Sequence, residues 1–190
     1  MDDTLYKFRI ETGKYTNKED VKALSEIIHS TLGRLHTEAG IPYLPQTSRK
    51  NDRAVFDFVT TLPFTEKLGQ ALEKGNLSQQ IEHDTSGEFS SYAIRLTAAD
   101  GPHHKEVPQN ALRFLKKEGA LLGRKITTVS VDSETFNQLT FQALPKDAHK
   151  LNQMLQKTTP PEAIVVDSMN RPLASKGKQN GKQPMACVVA

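Results

Sequence analysis

The sequence predicts an α+β protein, with one globular domain over residues 1–166 and a flexible basic tail over residues 167–190. Three observations point that way. Short alternating or apolar runs recur between stretches with 3.6-residue apolar periodicity, the patterns of strands and helices. Gly and Pro fall at the junctions between them. After Val166 the chain turns to Ser, Asn, Lys, Gly and Gln with almost no large apolar residue. Such a stretch buries too little surface to offset its ordering entropy and reads as a disordered linker.

The elements follow in order. Leu5–Ile10 alternates and predicts a first strand. Thr16-Asn17-Lys18-Glu19 has the form of a capping box. A helix follows, with Val21, Leu24, Ile28, Leu32 and Leu35 on one stripe and Gly40 and Pro42 as its stop. Residues 41–53 read as a loop with a basic cluster at Arg49, Lys50 and Arg53. Ala54–Val59 is nearly all apolar and predicts a central strand. A short helix spans Thr65–Lys74, closed by Gly75, and residues 76–88 are polar and weakly patterned. Tyr92, Ile94 and Leu96 alternate on a strand, and a helix from Pro108 to Lys117 ends at Gly119. Ile126–Val131 is a strand. Residues 135–144 fit either period, and their Thr and Phe content favours a strand. Pro145–Gln156 reads as a helix and Ala163–Val166 as a last strand. Residues 89–166 then run β-α-β-β-α-β, the ferredoxin-like plan. The first half, β-α-β-α, either shares that sheet or forms a companion lobe. No internal repeat is visible in the residues themselves.

The chain has 25 Lys and Arg against 22 Asp and Glu, a net charge of +3. Four of those bases, Arg171, Lys176, Lys178 and Lys182, fall in residues 168–190, which contain no acid. The body keeps 25 − 4 = 21 bases against 22 acids, a net of −1. Composition therefore argues against a nucleic-acid partner. No apolar run approaches the roughly 20 residues that span a bilayer. The opening Met1-Asp2-Asp3-Thr4 lacks the apolar core of a signal peptide. A single cysteine forms no internal disulfide and no zinc cluster, which fits a reducing compartment.

The last four residues are Cys187-Val188-Val189-Ala190. They resemble the C-a-a-X prenylation box of membrane-anchored proteins such as the Ras-like GTPases. The resemblance covers these residues and the basic segment before them. It implies that Cys187 carries a lipid and that Val188, Val189 and Ala190 are read by protein farnesyltransferase, since a terminal Ala belongs to the farnesyl class. One lipid chain binds a membrane only marginally, and Arg171, Lys176, Lys178 and Lys182 would supply the electrostatic second signal toward an anionic surface. The competing reading makes Met185–Ala190 a terminal strand with a buried thiol. The layout also resembles effectors of intracellular bacterial pathogens that host enzymes prenylate. The body matches no prenylated family: Gly119–Lys125 has the wrong spacing for a phosphate-binding loop, which excludes a Ras-like GTPase.

Chemistry in the body is weakly signalled. Asp100, His103, His104 and Glu106 gather two imidazoles and two acids near a turn, yet adjacent loop histidines rarely converge and no third metal ligand stands out. His29-Ser30-Thr31 and His83-Asp84-Thr85 both spell the H-x-T of the 2H phosphoesterases, but His29 lies within a helix rather than on a strand, so the match reads as accidental. His36 reads as a partly buried structural histidine. No cofactor or metal motif occurs, and no positive sign of an enzyme remains in the residues. The expected function is a lipid-anchored binding or adaptor protein at a cytosolic membrane face. A small hydrolase or transferase with the same tail is the runner-up.

Overall fold

The computed structural model describes residues 4–14, 16–97, 106–158 and 163–174. Among these residues seven strands and four helices follow one another as β1 (Leu5–Glu11), α1 (Lys18–Ala39), β2 (Gln46–Lys50), β3 (Arg53–Thr60), α2 (Leu62–Lys74), β4 (Ile81–Thr97), α3 (Glu106–Lys117), β5 (Leu121–Val131), β6 (Glu134–Ala143), α4 (Pro145–Thr158) and β7 (Ala163–Asp167). The strands form one sheet in the order β2-β3-β1-β4-β6-β5, with β7 also paired to β4. All the pairings are antiparallel.

The strand order contains the same unit twice. β1-α1-β2-β3-α2-β4 pairs as β2-β3-β1-β4, and β4-α3-β5-β6-α4-β7 pairs as β5-β6-β4-β7. Each is a β-α-β-β-α-β ferredoxin-like unit, and they share β4. The second half thus has the plan expected of it, and the first half completes a like unit within the same sheet. The repeat is one of topology, not of residues. A sheet face needs apolar side chains at alternate positions, and Phe8, Ile10 and Phe58 meet that need as well as Ile94, Leu139 and Phe141.

Each unit has its own core. α1 and α2 bury Leu24, Ile28, Leu68 and Leu72 on Phe8, Ile10, Phe56 and Phe58. α3 and α4 bury Ala111, Leu115, Leu151 and Leu155 on Tyr92, Ile94, Leu139 and Phe141. A third cluster, Val59, Phe89 and Leu121 with Leu5, Leu44 and Leu144 against it, lies on the opposite face of the sheet. It joins the two units.

Several boundaries differ from the sequence reading, each for a local reason. Residues 46–50 are strand β2, turned into β3 through Asn51 and Asp52 at φ 50° and 62°. Positive φ at both central residues is the hairpin turn that matches strand twist. β2 is exposed over Thr47–Lys50, so an edge strand without an apolar face hid as a loop. β4 begins at Ile81, inside the weakly patterned stretch. Thr61, not a later residue, caps α2, its Oγ1 accepting from the Phe64 N–H at 3.4 Å. β5 begins five residues before its predicted start.

Residues 167–174, expected as the start of a linker, belong to the folded body. Asp167 closes β7, and the chain turns back so that Leu173 N–H donates to Val165 O at 2.9 Å and the Leu173 side chain packs on the second core. Asn152 of α4, 1% exposed, donates to Leu173 O and accepts from Val165 N–H. One apolar residue and a buried amide are enough to fold a segment whose composition reads as disordered.

The capping box is also replaced. Asn17 is the N-cap of α1: its Oδ1 accepts from Asp20 N–H at 2.7 Å, while Thr16 Oγ1 donates to Gly13 O. Asn17→Ala is expected to destabilise the protein by about 1 kcal/mol and Thr16→Ala by clearly less. Urea denaturation of the two variants measures the difference. Equal losses would restore Thr16 as the cap.

Candidate functional site

The sheet face opposite the four helices carries two concavities. On the first unit, Lys7 and Arg9 of β1 lie between Asp57 of β3 and Glu82 and Asp84 of β4, around a shallow groove of about 220 Å³. The Arg9 guanidinium forks onto Asp57, with Nε to Oδ1 at 2.9 Å and Nη2 to Oδ2 at 3.2 Å. That bond raises the Arg9 pKa, with burial opposing it. The Ser86 backbone N–H, 2.9 Å from Asp84 Oδ1, holds the Asp84 carboxyl below the usual carboxylate range. Arg9 lies between Asp57 and Glu82, and Lys7 lies opposite Asp84, so the row is a ladder of charges rather than an acid-base pair.

A second cavity, of about 250 Å³, opens where the two units meet. Ser91, Ala93, Gln138 and Thr140 of β4 and β6 line it from the sheet. Gly40 and Pro42 line it from the α1–β2 connection, and Asp167, Ser168 and Asn170 from the turn after β7. That turn is folded by its own side chains. Asp167 Oδ1 accepts from Met169 and Arg171 N–H, and its Oδ2 pairs with the Arg171 guanidinium at 2.8 Å. Burial pushes the Asp167 carboxyl up, but these bonds outweigh it and leave its pKa lowered. Asn170 then crosses the sheet: its Oδ1 accepts from Gln138 Nε2 at 3.2 Å and its carbonyl from Arg95 Nη2 at 3.4 Å. Gly123 sits against the same floor. A Cβ there would come within 2.6 Å of Thr140 Oγ1 and 2.9 Å of Thr140 O, so only glycine lets β5 approach so closely.

The cavity wall is fixed by the carbonyl of Pro42. His36 Nδ1 lies 3.0 Å from it and Gln142 Nε2 donates to it at 3.1 Å, so one acceptor ties α1 of the first unit to β6 of the second. The second nitrogen of His36 meets Thr60 Oγ1 at 2.9 Å. His36 and Gln142 are both fully buried, and Gln142 Oε1 has no partner among the described residues.

The sequence-predicted site residues fare differently. Cys187, Val188, Val189, Ala190, Lys176, Lys178 and Lys182 lie outside the described residues, as do Asp100, His103 and His104. Glu106 begins α3. Arg171 belongs to the folded body rather than to a tail, its guanidinium engaged with Asp167. His29 approaches Tyr43, whereas His83 is exposed on β4 and stacks on Phe8 at 4.9 Å, so the two H-x-T histidines sit on separate elements. His36 is structural, as its sequence context suggested. Among the described residues no group of three or more His, Cys, Asp or Glu is placed to hold a metal ion, and no helix is long and apolar enough to cross a membrane. The joint cavity was missed. Its signal was the polar alternation Gln138-Thr140-Gln142 in a strand otherwise built for a core, together with Asp167-Ser168-Met169-Asn170, a turn-forming string.

Fold and site together define an α+β protein of two ferredoxin-like units that share a strand. No protein-family model and no curated protein matches the chain. Solved structures of similar architecture include the regulatory subunit of aspartate kinase from Thermus flavus, at 11% identity over 82% of this chain and 93% of that one, with a TM-score of 0.42. The ligand-free regulatory subunit of aspartate kinase from Thermus thermophilus is 13% identical over 83% and 94%, with a TM-score of 0.43. An unknown protein from Galdieria sulphuraria is 10% identical over 86% and 96%, with a TM-score of 0.27.

Burial lowers the pKa of His36, with its bond to Pro42 opposing the shift. The folded protein therefore prefers the neutral imidazole. The unfolded chain takes up the proton first, near pH 6.5. Stability is full above that pH and falls as acid carries the pH through it toward the lower folded value. Tm should drop between pH 7 and pH 5, and His36→Gln should flatten that part of the profile. An unchanged slope in the variant would assign the acid sensitivity to other groups.

Proposed function

We propose that this protein is a binding or adaptor module held at a cytosolic membrane face by a farnesyl chain on Cys187. The observation that carries the reading is Cys187-Val188-Val189-Ala190 behind Lys176, Lys178 and Lys182, with no acid among residues 168–190. The reading requires that Ala190 bear the free carboxylate that protein farnesyltransferase grips. The fold supports it in two respects. Ala174 is the last described residue, and the twelve residues between it and Cys187 make thirteen Cα-to-Cα steps. At about 3.4 Å per residue they reach no more than about 45 Å, which keeps a tethered body close to the bilayer. The sheet face away from the helices, with its charge ladder and joint cavity, offers a partner hydrogen-bonding groups. The same layout suits a bacterial effector lipidated by its host.

Intact mass after expression in eukaryotic cells tests the anchor directly. The expected result is one farnesyl addition in the parent and none in Cys187→Ser, with the variant moving from the membrane fraction to the cytosol. A parent of unmodified mass, or a Cys187→Ser protein that stays on membranes as firmly, would place any anchor in the folded body.

A further inference from the structure

The body's net charge of −1 conceals a separation that the fold makes visible. Both helical layers cover the same face of the sheet, one per unit, but their charges differ. α1 carries three basic residues against four acidic, and α2 two against two. α3 carries three against one, and α4 three against one. The α1–α2 layer is thus −1 and the α3–α4 layer +4.

The position of the bases matters more than their number. Ala111 and Leu115 point α3 at the core, and Ala148, Leu151 and Leu155 do the same for α4. At 100° per residue, Arg113, Lys116 and Lys117 fall on the far side of α3, and Lys146, Lys150 and Lys157 fall on the far side of α4. All six are exposed. Two of the neighbouring acids are drawn to a single lysine. Asp147 is buried and accepts from Lys150 Nζ at 3.2 Å, and Glu118, just after α3, lies 3.7 Å from the same Nζ. One lysine thus meets two acids and the other five bases face outward. The first unit is laced differently, with Lys22–Glu26 and Arg34–Glu38 pairs along α1.

We propose that the solvent side of the α3–α4 layer is the face with which the body rests on an anionic phospholipid surface. The inference deepens the tethered-module reading and rests on it. The two helices have 12 and 14 residues, about 18 and 21 Å, and form a low, broad layer suited to a flat surface. The large exposed apolar residues among those described are Leu62, Ile126 and Met169, none of them on α3 or α4. Contact is therefore electrostatic, without insertion, and weakens with salt. A lipid surface is favoured over nucleic acid because the stripe continues in sign with the basic segment leading to Cys187. In this orientation the joint cavity and charge ladder face away from the membrane, open to a cytosolic partner.

The test uses the full chain made in bacteria, which adds no prenyl group, and sedimentation with phosphatidylcholine vesicles with or without phosphatidylserine. The parent should bind only the anionic vesicles. Each charge near such a surface is worth about fivefold in affinity. Lys116→Glu/Lys146→Glu/Lys157→Glu should therefore lose tenfold or more. The matched reversal Lys18→Glu/Lys22→Glu/Lys67→Glu on the other layer should lose less than about twofold. If the first triple also lowers Tm, the Gln triple at the same positions replaces it, with a smaller expected loss. Equal losses from the two layers would overturn the proposal. So would binding that vanishes only in Lys176→Gln/Lys178→Gln/Lys182→Gln, or a parent that ignores the vesicles and binds duplex DNA. The farnesyl mass is read separately, so a failed vesicle result with lipid present sinks this face and leaves the anchor standing.

Discussion

Strand β4 is hydrogen-bonded to β1 at residues 81–84 and Phe89, and to β6 and β7 through residues 90–97. It is the last strand of one unit and the first of the next, so neither unit closes its sheet without it. A linker between two ferredoxin-like units would have left them free to move. A shared strand makes their relative placement a matter of backbone hydrogen bonds, which are costly to break in a sheet interior. The cluster of Val59, Phe89 and Leu121 fills the joint, and the Pro42 carbonyl fixes its rim by accepting from both sides. Buried polar groups are tolerated where they are satisfied, and His36 has a partner for each ring nitrogen. Among the described residues Arg95 Nε and Gln142 Oε1 are the exceptions, buried and without a partner, and Gln142 lies on the strand that floors the cavity.

What the residues revealed in advance follows from how each element is buried. α1, β3 and α4 face a core on a fixed stripe or throughout, and period and composition placed them within a few residues. β2 is an edge strand exposed along nearly its whole length, so its Gln, Thr, Ser, Arg and Lys carry no period. The start of β4 is similar, since His83, exposed, replaces an aliphatic residue and covers Phe8 by stacking. The turn after β7 looked like linker because its order comes from Asp167 and Asn170 bonding to specific partners, which composition does not register. The joint cavity was invisible for a related reason: its lining comes from β4, β6 and two connections far apart in the chain. The terminal motif is the reverse case, four residues read wholly from sequence.

Charge shows the same division between sum and arrangement. A count of 21 bases against 22 acids over residues 1–167 describes a nearly neutral body. The fold sorts those charges into an acid-flanked ladder on one face, a self-paired helical layer on the first unit and a basic layer on the second. Long-range electrostatics depends on that sorting.

The irregularity within β4 governs more than local twist. Between the pairs Lys7↔Asp84 and Leu5↔Phe89, β1 advances two residues and β4 advances five, with Gly87 at φ 133° inside the surplus. Three extra residues is an odd number. Along a strand, sidedness alternates like a two-letter reading frame, and an odd surplus shifts that frame once. Before the surplus it is Ile81 and His83 that face the helices; after it, Tyr92, Ile94 and Leu96 do. The frame shift is what lets both pairs of helices lie on one side of a single sheet. Losing one residue from Thr85–Glu88 would not merely shorten the strand. It would restore the frame, turn Tyr92, Ile94 and Leu96 outward, and set the second unit's helices on the wrong side of the first.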